Sequence, residues 1–546
     1  MTDISATTNA YDYIIVGAGS AGCVLAARLS ADGARVVVLE AGDHDRHWLI
    51  HVPIGVGKVW HDARFNWSYM SEPEPNLGGR QIFHPRGKVV GGSSSINMMA
   101  YVRGNQGDFD RWRQMGLDGW GYDDVLPYFK RAQNFAQAGT QFHGTDGPWN
   151  IQTTDIDDPI IETFFEAARS AGYEQTEDYN GAQQDGFAKL QVNVHQGRRS
   201  SAAVAYLHPS LSRPNLHLEV AAHVTRVVFD GSRAVGVDYV QGGATHRVMA
   251  EREVILSGGA INSPQILMLS GVGPADHLAE IGIEPFHDLA GVGGNLQDHP
   301  AIGIEYRYAQ RSRYHRELRL DRLMLNMARA RLFGTGPAAT PPSSVTGFIK
   351  SRPGLDIPDI QMFFRPVSAS ARQWFPMIMP PAEETFAFRT CHLRPESRGT
   401  VRLRSANAHQ PVRIQNNFLA TETDRQVLRT SFQVIRELAS QPAFNGIRGA
   451  ELAPGPDVED DAAIDAYIRE TLSTVYHPAG TCHMGANVEA VVDGALRVQG
   501  LEALRVVDAS VMPDLVGGNI NAVVIMIAEK ASDAILGKTP LPSAKI

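Results

Sequence analysis

Along the chain, apolar positions follow two different rhythms. Residues 13–16 and 36–39 are uninterrupted apolar runs, the pattern of strands buried on both faces. Between them lie Gly17, Gly19 and Gly22 and a stretch of apolar residues at helical spacing, and just past the second run stands Glu40. The order is strand, glycine turn, helix, strand, acid. Runs of the same kind recur at 252–257 and 504–508, each followed by small residues and a helical pattern, so this α/β unit draws its strands from distant parts of the chain. Residues 216–220 and 224–231 alternate at period two and close on Asp230 and Gly231, which predicts strands and a hairpin turn ahead of a further strand at 234–240. Val524, Ile527, Ala528, Ala531 and Ile535 share one face of a helix over 521–536 that Gly537 stops. Segments 155–212 and 300–465 differ in character, the second being rich in Pro, Arg and aromatics. They are assigned to a second domain, leaving 1–154, 213–299 and 466–546 to the first.

Composition narrows the class. A chain of 546 residues exceeds a single ordinary core, and 43% hydrophobic with 20% charged residues is the balance of a folded globular protein. A net charge of −9 with no Lys/Arg block argues against a nucleic-acid partner. Cys23, Cys391 and Cys482 are few, odd in number and far apart, which suits a reducing compartment. The first ten residues show no signal or transit pattern and no apolar run reaches membrane-spanning length, so a cytoplasmic location is expected. His44, His47 and His51, and the pair His477 and His483, lack the Cys or carboxylate that would complete a metal set, so no metal is expected.

The glycine turn carries the first chemical signal. Gly17 permits the tight turn, Gly19 lets backbone approach a pyrophosphate and Gly22 lets helix and sheet pack closely. Ser20 and Ala21 open the helix whose free N–H groups attract the anion, while Glu40, with Ala41 beside it, is placed to hold a ribose hydroxyl pair. A second cluster, residues 86–97, combines Val90, Gly91, Gly92, Ser93, Ser94, Ser95 and Asn97, small and polar enough for backbone to approach a flat ligand. A third, residues 259–273, reads as turn, helix and glycine stop.

These last two runs resemble, position by position, the signature patterns of the glucose-methanol-choline oxidoreductases, FAD-dependent alcohol oxidases and dehydrogenases. The resemblance extends to residues 476–482 and 507–522, and the closest likeness is to choline-dehydrogenase-like members. It implies a Rossmann-like FAD-binding domain beside a substrate domain built on a mostly antiparallel sheet. It also implies a catalytic pair, His477 as base and Asn519 beside it, with hydride passing from a primary alcohol to flavin N5. Imidazole suits the proton transfer, whereas an amide cannot titrate and orients the substrate. Flavin contacts are carried over to Trp67, Val90, Gly91, Ser95, Asn97, Met98, Val224, Asp508, Ala509, Asn519, Asn521 and Ala522. A helix starting near Asn521 would set its positive end at the reduced flavin.

Two departures from the pattern narrow the expectation. Relatives with covalent flavin carry a histidine where this chain has Ile96, so non-covalent FAD is expected. Choline-specific relatives place a glutamate where this chain has Ala301, so an ammonium substrate lacks its counter-charge. Tyr476 and Trp67 remain as an aromatic face, but cation–π attraction of about 0.5–2 kcal/mol replaces an ion pair poorly. An uncharged primary alcohol is therefore expected, with Tyr476 and Ala301 as substrate-side residues. Oxygen or a quinone or other redox carrier both fit as acceptor, and a homo-oligomer is possible. Choline oxidation, a hydroxynitrile lyase-type reaction and light-driven decarboxylation on the same scaffold are the alternatives.

Overall fold

A computed structural model describes residues 10–135, 140–154, 158–368 and 371–546. The segment read for a leader, residues 1–9, and the first domain boundary, immediately after residue 154, involve positions outside these.

Seven strands form the first sheet, in the order Leu216–Glu219, Val36–Leu39, Ala10–Val16, Ala244–Leu256, Arg233–Gln241 and His223–Asp230, with Leu504–Val506 also beside Ala244–Leu256. The thirteen-residue strand Ala244–Leu256 serves two partners. Its first half pairs antiparallel with Arg233–Gln241 and is largely exposed, whereas its last residues, Val254, Ile255 and Leu256, are buried in parallel register between Ile14, Ile15 and Val16 and the Leu504–Val506 strand. The parallel half is thus apolar on both faces, and that is why its strands read as unbroken runs.

Helices Ser20–Ala31 and Asn521–Ile535 pack against each other over this half, and both point their N-termini at the C-terminal edge of the parallel strands. A buried carboxylate locks them. Glu529, fully enclosed, accepts Arg28 Nε at 2.9 Å and Nη2 at 2.7 Å, Arg131 Nε at 2.7 Å and the Tyr206 hydroxyl at 2.8 Å. Glu529→Ala would leave two guanidiniums facing each other without their shared acid. It is expected to lower unfolding free energy by about 3–5 kcal/mol, read as a shift of the urea midpoint at unchanged m-value.

The second sheet is antiparallel throughout, in the order Arg448–Ala453, Pro300–Tyr308, Thr385–His392, Ile360–Arg365, Val345–Ile349 and Gly186–Lys189, with Ser473–Thr474 pairing with the start of Pro300–Tyr308. One face carries Ile302, Ile304, Met362, Phe364, Phe386 and Phe388 into a core shared with helices Pro159–Ser170 and Glu422–Ser440. Residues of opposite parity, among them Gln361, Phe363, Arg365, Arg389 and Cys391, lie on the other face, toward the first sheet. The boundary drawn at 465 needs correction. Helix Asp461–Thr471 packs Ile464 and Ile468 into the second domain's core, and Ser473–Thr474 belongs to the second sheet. A two-residue strand is too short to show a period.

Candidate active site

At the glycine turn, the backbone itself excludes side chains. Gly17 has φ +100°, and a Cβ there would stand 2.6 Å from the Ser257 carbonyl oxygen. A Cβ on Gly22 would lie 1.9 Å from the carbonyl oxygen of Gly17. Glu40 braces the turn: one carboxylate oxygen accepts the N–H of Ala18 and the other that of Gly42, each at 2.8 Å. Burial pushes this carboxyl up to about 7. Neither helix Ser20–Ala31 nor helix Asn521–Ile535 has a side-chain cap, so their leading N–H groups stay open, and Ser20 Oγ donates to Asn521 Oδ1 at 2.7 Å between them.

One cavity of about 1090 Å³ runs from this turn to the second sheet. Its wall includes Gly17, Gly19, Ser20, Ala21, Glu40, Ala41, Trp67, Asn97, Met98, Val224, Asp508, Ala509, Asn519, Asn521, Tyr476 and His477. Six expected contacts are displaced. Gly22 and Ala522 sit behind the wall within their helices, and Gly22 acts through packing alone. Val90, Gly91 and Ser95 form a second layer, Gly91 N–H donating to Ala18 O at 2.7 Å and Ser95 Oγ to Val90 O at 2.7 Å, so Gly87, Gly92 and Ser93 face the cavity instead. Ala301 is enclosed among Val102, Tyr179, Phe348, Cys391 and Leu393 and does not reach the cavity. Trp67 is also not a partner of Tyr476. Its ring lies under Lys88 Nζ at 4.5 Å and edge-on to His223, beside Val224, while Tyr476 meets Trp60 at 5.7 Å.

The far end is organised around His477. Tyr476 before it has φ +68°, a conformation costing an ordinary residue about 1–3 kcal/mol. Three contacts hold it: the Tyr476 N–H donates to Thr474 Oγ1 at 2.8 Å, Arg86 Nη2 donates to the Tyr476 carbonyl at 2.6 Å, and Asp298 Oδ1 accepts the N–H of His477 at 2.8 Å. The same Oδ1 accepts the N–H of His299 at 2.8 Å, and burial raises Asp298 to about 6.

Hydrogen-bond logic then settles the tautomer of His477. The Leu393 carbonyl, 3.1 Å from His299 Nε2, can only accept, so that nitrogen carries the proton and His299 Nδ1 carries a lone pair. His477 Nδ1, 3.0 Å away, must be the donor. Its Nε2 is therefore unprotonated and faces Asn519 Nδ2 at 3.1 Å. Gln361 Nε2 donates to Asn519 Oδ1 at 3.3 Å and fixes the amide the other way round. Burial, with Arg86 nearby, draws the His477 imidazole down to about 3, leaving it a neutral acceptor.

The cavity fits a dinucleotide. It is long, it opens onto two uncapped helix N-termini, and the buried Ser257 Oγ and Asn521 Nδ2 on its wall have no partner within the protein. A nucleotide turn at one end and an unprotonated imidazole beside an amide at the other give the cavity a place for a dinucleotide and a base for proton transfer. Comparison with known proteins agrees. Residues 11–301 and 395–528 match the two sequence profiles of GMC oxidoreductase, together more than half of the chain. Mitochondrial choline dehydrogenase of Homo sapiens is 45% identical over 548 residues, covering 98% of this chain and 91% of that enzyme. The oxygen-dependent choline dehydrogenase of Brucella ovis is 44% identical, covering 97% and 96%. Among solved structures, pyridoxine 4-oxidase from Mesorbium loti superposes with TM-score 0.87 at 31% identity, covering 97% of this chain and 99% of that one. Formate oxidase superposes with TM-score 0.90 at 26% identity, with the same coverage. The chain belongs to the GMC oxidoreductase family, on its choline-dehydrogenase-like branch. It is an FAD-dependent alcohol oxidoreductase.

His299, Gln361, Arg86 and Trp60 escaped the sequence reading. His299 was visible only as the middle of an Asp-His-Pro triplet, and nothing local marks Trp60 as facing the cavity or Gln361 as touching Asn519.

Proposed function

We propose that the enzyme oxidises a primary alcohol to its aldehyde with His477 as the base, passing the electrons on to oxygen or to a quinone or other carrier. The observation that carries this reading is the chain from the Leu393 carbonyl through His299 to His477, which leaves a lone pair on Nε2 next to the Asn519 amide. An alcohol oxygen within reach of both accepts from Asn519 Nδ2 and gives its proton to His477 Nε2. Bound FAD, held without a covalent link at Ile96, supplies the two-electron acceptor for the hydride from the carbon. The protein's contribution is to orient the oxygen, hold the proton at Nε2 and keep water out.

Anaerobic addition of a panel of alcohols to the yellow holoenzyme tests this. Bleaching of the flavin with release of aldehyde is the expected result. Product formed while the flavin stays oxidised would indicate a lyase-type reaction, and product formed only under illumination would indicate decarboxylation.

The pH profile carries a second expectation. A base works only when deprotonated, and the imidazole is held down near 3, so it stays competent well below its ordinary value. The acid limb of kcat/KM should therefore fall below about pH 5, rather than near the 6.5 of free imidazole. A limb centred at 6.5 would mean that His477 is solvated like an ordinary surface histidine.

A further inference from the structure

On its cavity side the second sheet carries two cations for which the reading so far has no use. Gln361, which touches Asn519, lies opposite Cys391; two residues along, Phe363 lies opposite Arg389; two further, Arg365 lies opposite Ala387. At about 3.4 Å per residue, Arg389 stands roughly 7 Å along the sheet from the catalytic row, with Arg365 one diagonal beyond it. Both guanidiniums line the cavity that holds Tyr476 and His477.

Among the described residues no carboxylate lies within ion-pair distance of either. Arg389 donates to neutral groups, Ser473 Oγ at 2.6 Å and the Thr474 carbonyl at 3.1 Å, and Arg365 Nε is buried with no partner. The acids on the cavity wall are Glu40 and Asp508, both on the nucleotide side and both tied to backbone amides. Glu305, on the same sheet face, is not on the wall. It pairs with Ala387, the residue opposite Arg365, so it is a diagonal neighbour of Arg389 on the adjacent strand and stands two strands, about 9.5 Å between backbones, from Arg365. Burial, with Arg389 beside it, draws Arg365 down to about 10, still charged at neutral pH. Lys58 and Arg372 add positive charge on the exposed part of the wall. Two neighbouring, half-buried cations that no acid among the described residues neutralises are costly to the protein, and an anion placed between them lowers that cost.

We propose that Arg365 and Arg389 form the far end of the substrate pocket and bind a carboxylate, so that the alcohol oxidised at His477 is a hydroxy acid with roughly 6–8 Å between its hydroxymethyl carbon and its carboxylate. The proposal rests on the alcohol-oxidation reading and extends it. It replaces the uncharged alcohol expected from Ala301 alone, and it sets this pocket apart from one built for an ammonium group, which these guanidiniums would repel. Arginine suits the task because its planar fork meets a carboxylate through two parallel hydrogen bonds.

The holoenzyme is compared with para-(hydroxymethyl)benzoate, its methyl ester and choline as substrates, and calorimetry measures binding of para-toluate and para-toluamide, which have no hydroxyl to react. Expected are a kcat/KM about tenfold or more higher for the acid than for the ester, and toluate binding about tenfold or more tighter than toluamide. Arg365→Met and Arg389→Met should each bring both ratios toward one, and Arg365→Lys should keep part of them. Among the described residues the Arg365 side chain makes no hydrogen bond to backbone, so its replacement is expected to leave the sheet intact even if the Arg389 variant is poorly folded. Equal binding of toluate and toluamide, or faster turnover of choline and the ester than of the acid, would overturn the proposal. Arginine-dependent binding of toluate with no alcohol bleaching the flavin would leave the anion site standing and remove the oxidation reading.

Discussion

His477→Ala is expected to lower kcat/KM by roughly a thousandfold, the usual worth of a positioned general base, while the purified protein stays yellow. The side chain removed is the one group whose unprotonated nitrogen faces the Asn519 amide, and no other imidazole can take its place. His299 stands behind the His477 ring, its Nδ1 on His477 Nδ1 rather than on the Asn519 amide and its Nε2 committed to the Leu393 carbonyl. The FAD end of the cavity is untouched, because the glycine turn, Glu40 and the helix N-termini are built from other parts of the chain. His477→Gln separates the two parts of the role: an amide can still hydrogen-bond the substrate oxygen but cannot hold its proton, so KM should change less than kcat. Retention of full turnover by the alanine variant would defeat the assignment.

The second large effect is expected at Gly22. Gly22→Val places a Cβ 1.9 Å from the Gly17 carbonyl, and the atoms in the way are backbone, which cannot swing aside. The turn must open, helix Ser20–Ala31 must lift from the sheet, and the amides meant for the pyrophosphate move with it. The variant should be isolated without flavin and with greatly reduced solubility. Gly33→Ala is the control. Gly33 also has a left-handed φ, +90°, but a Cβ there meets nothing within 4 Å. It should cost only the backbone penalty of about 1–2 kcal/mol, and FAD occupancy by absorbance should remain that of the parent. Equal flavin content in the two variants would show that close packing at Gly22 is not what holds the turn.

Much of the first domain was legible along the chain because its signals are local. A parallel strand buried on both faces must be apolar throughout, and a turn that brings backbone within 3 Å of backbone must be glycine. Residues 13–40 therefore announce their structure without help from the remainder. The helix over 521–536 was readable for a similar reason, since its apolar face repeats at 3.6 residues. The second sheet was less so. Its strands are apolar on the core side and carry Gln361, Phe363, Arg365 and Arg389 on the other, and period two alone cannot say whether that other side meets solvent or a cavity.

What the sequence by itself determined was the nucleotide-binding unit and the family, both carried by short runs whose chemistry depends on neighbours a few residues away, and the family resemblance in turn pointed to the candidate pair His477 and Asn519. Tertiary structure alone decided the rest. It put Ala301, Val90, Gly91 and Ser95 behind the wall and set Trp67 against Lys88 and His223 instead of Tyr476. It chose the tautomer of His477 through His299, and it brought Arg365 and Arg389 together on a sheet face where, among the described residues, no acid pairs with either. The reason is physical: a hydrogen-bond direction or an uncompensated charge is a property of several groups in space, and the groups that fix His477 and Asn519 come from segments 94 to 178 residues apart.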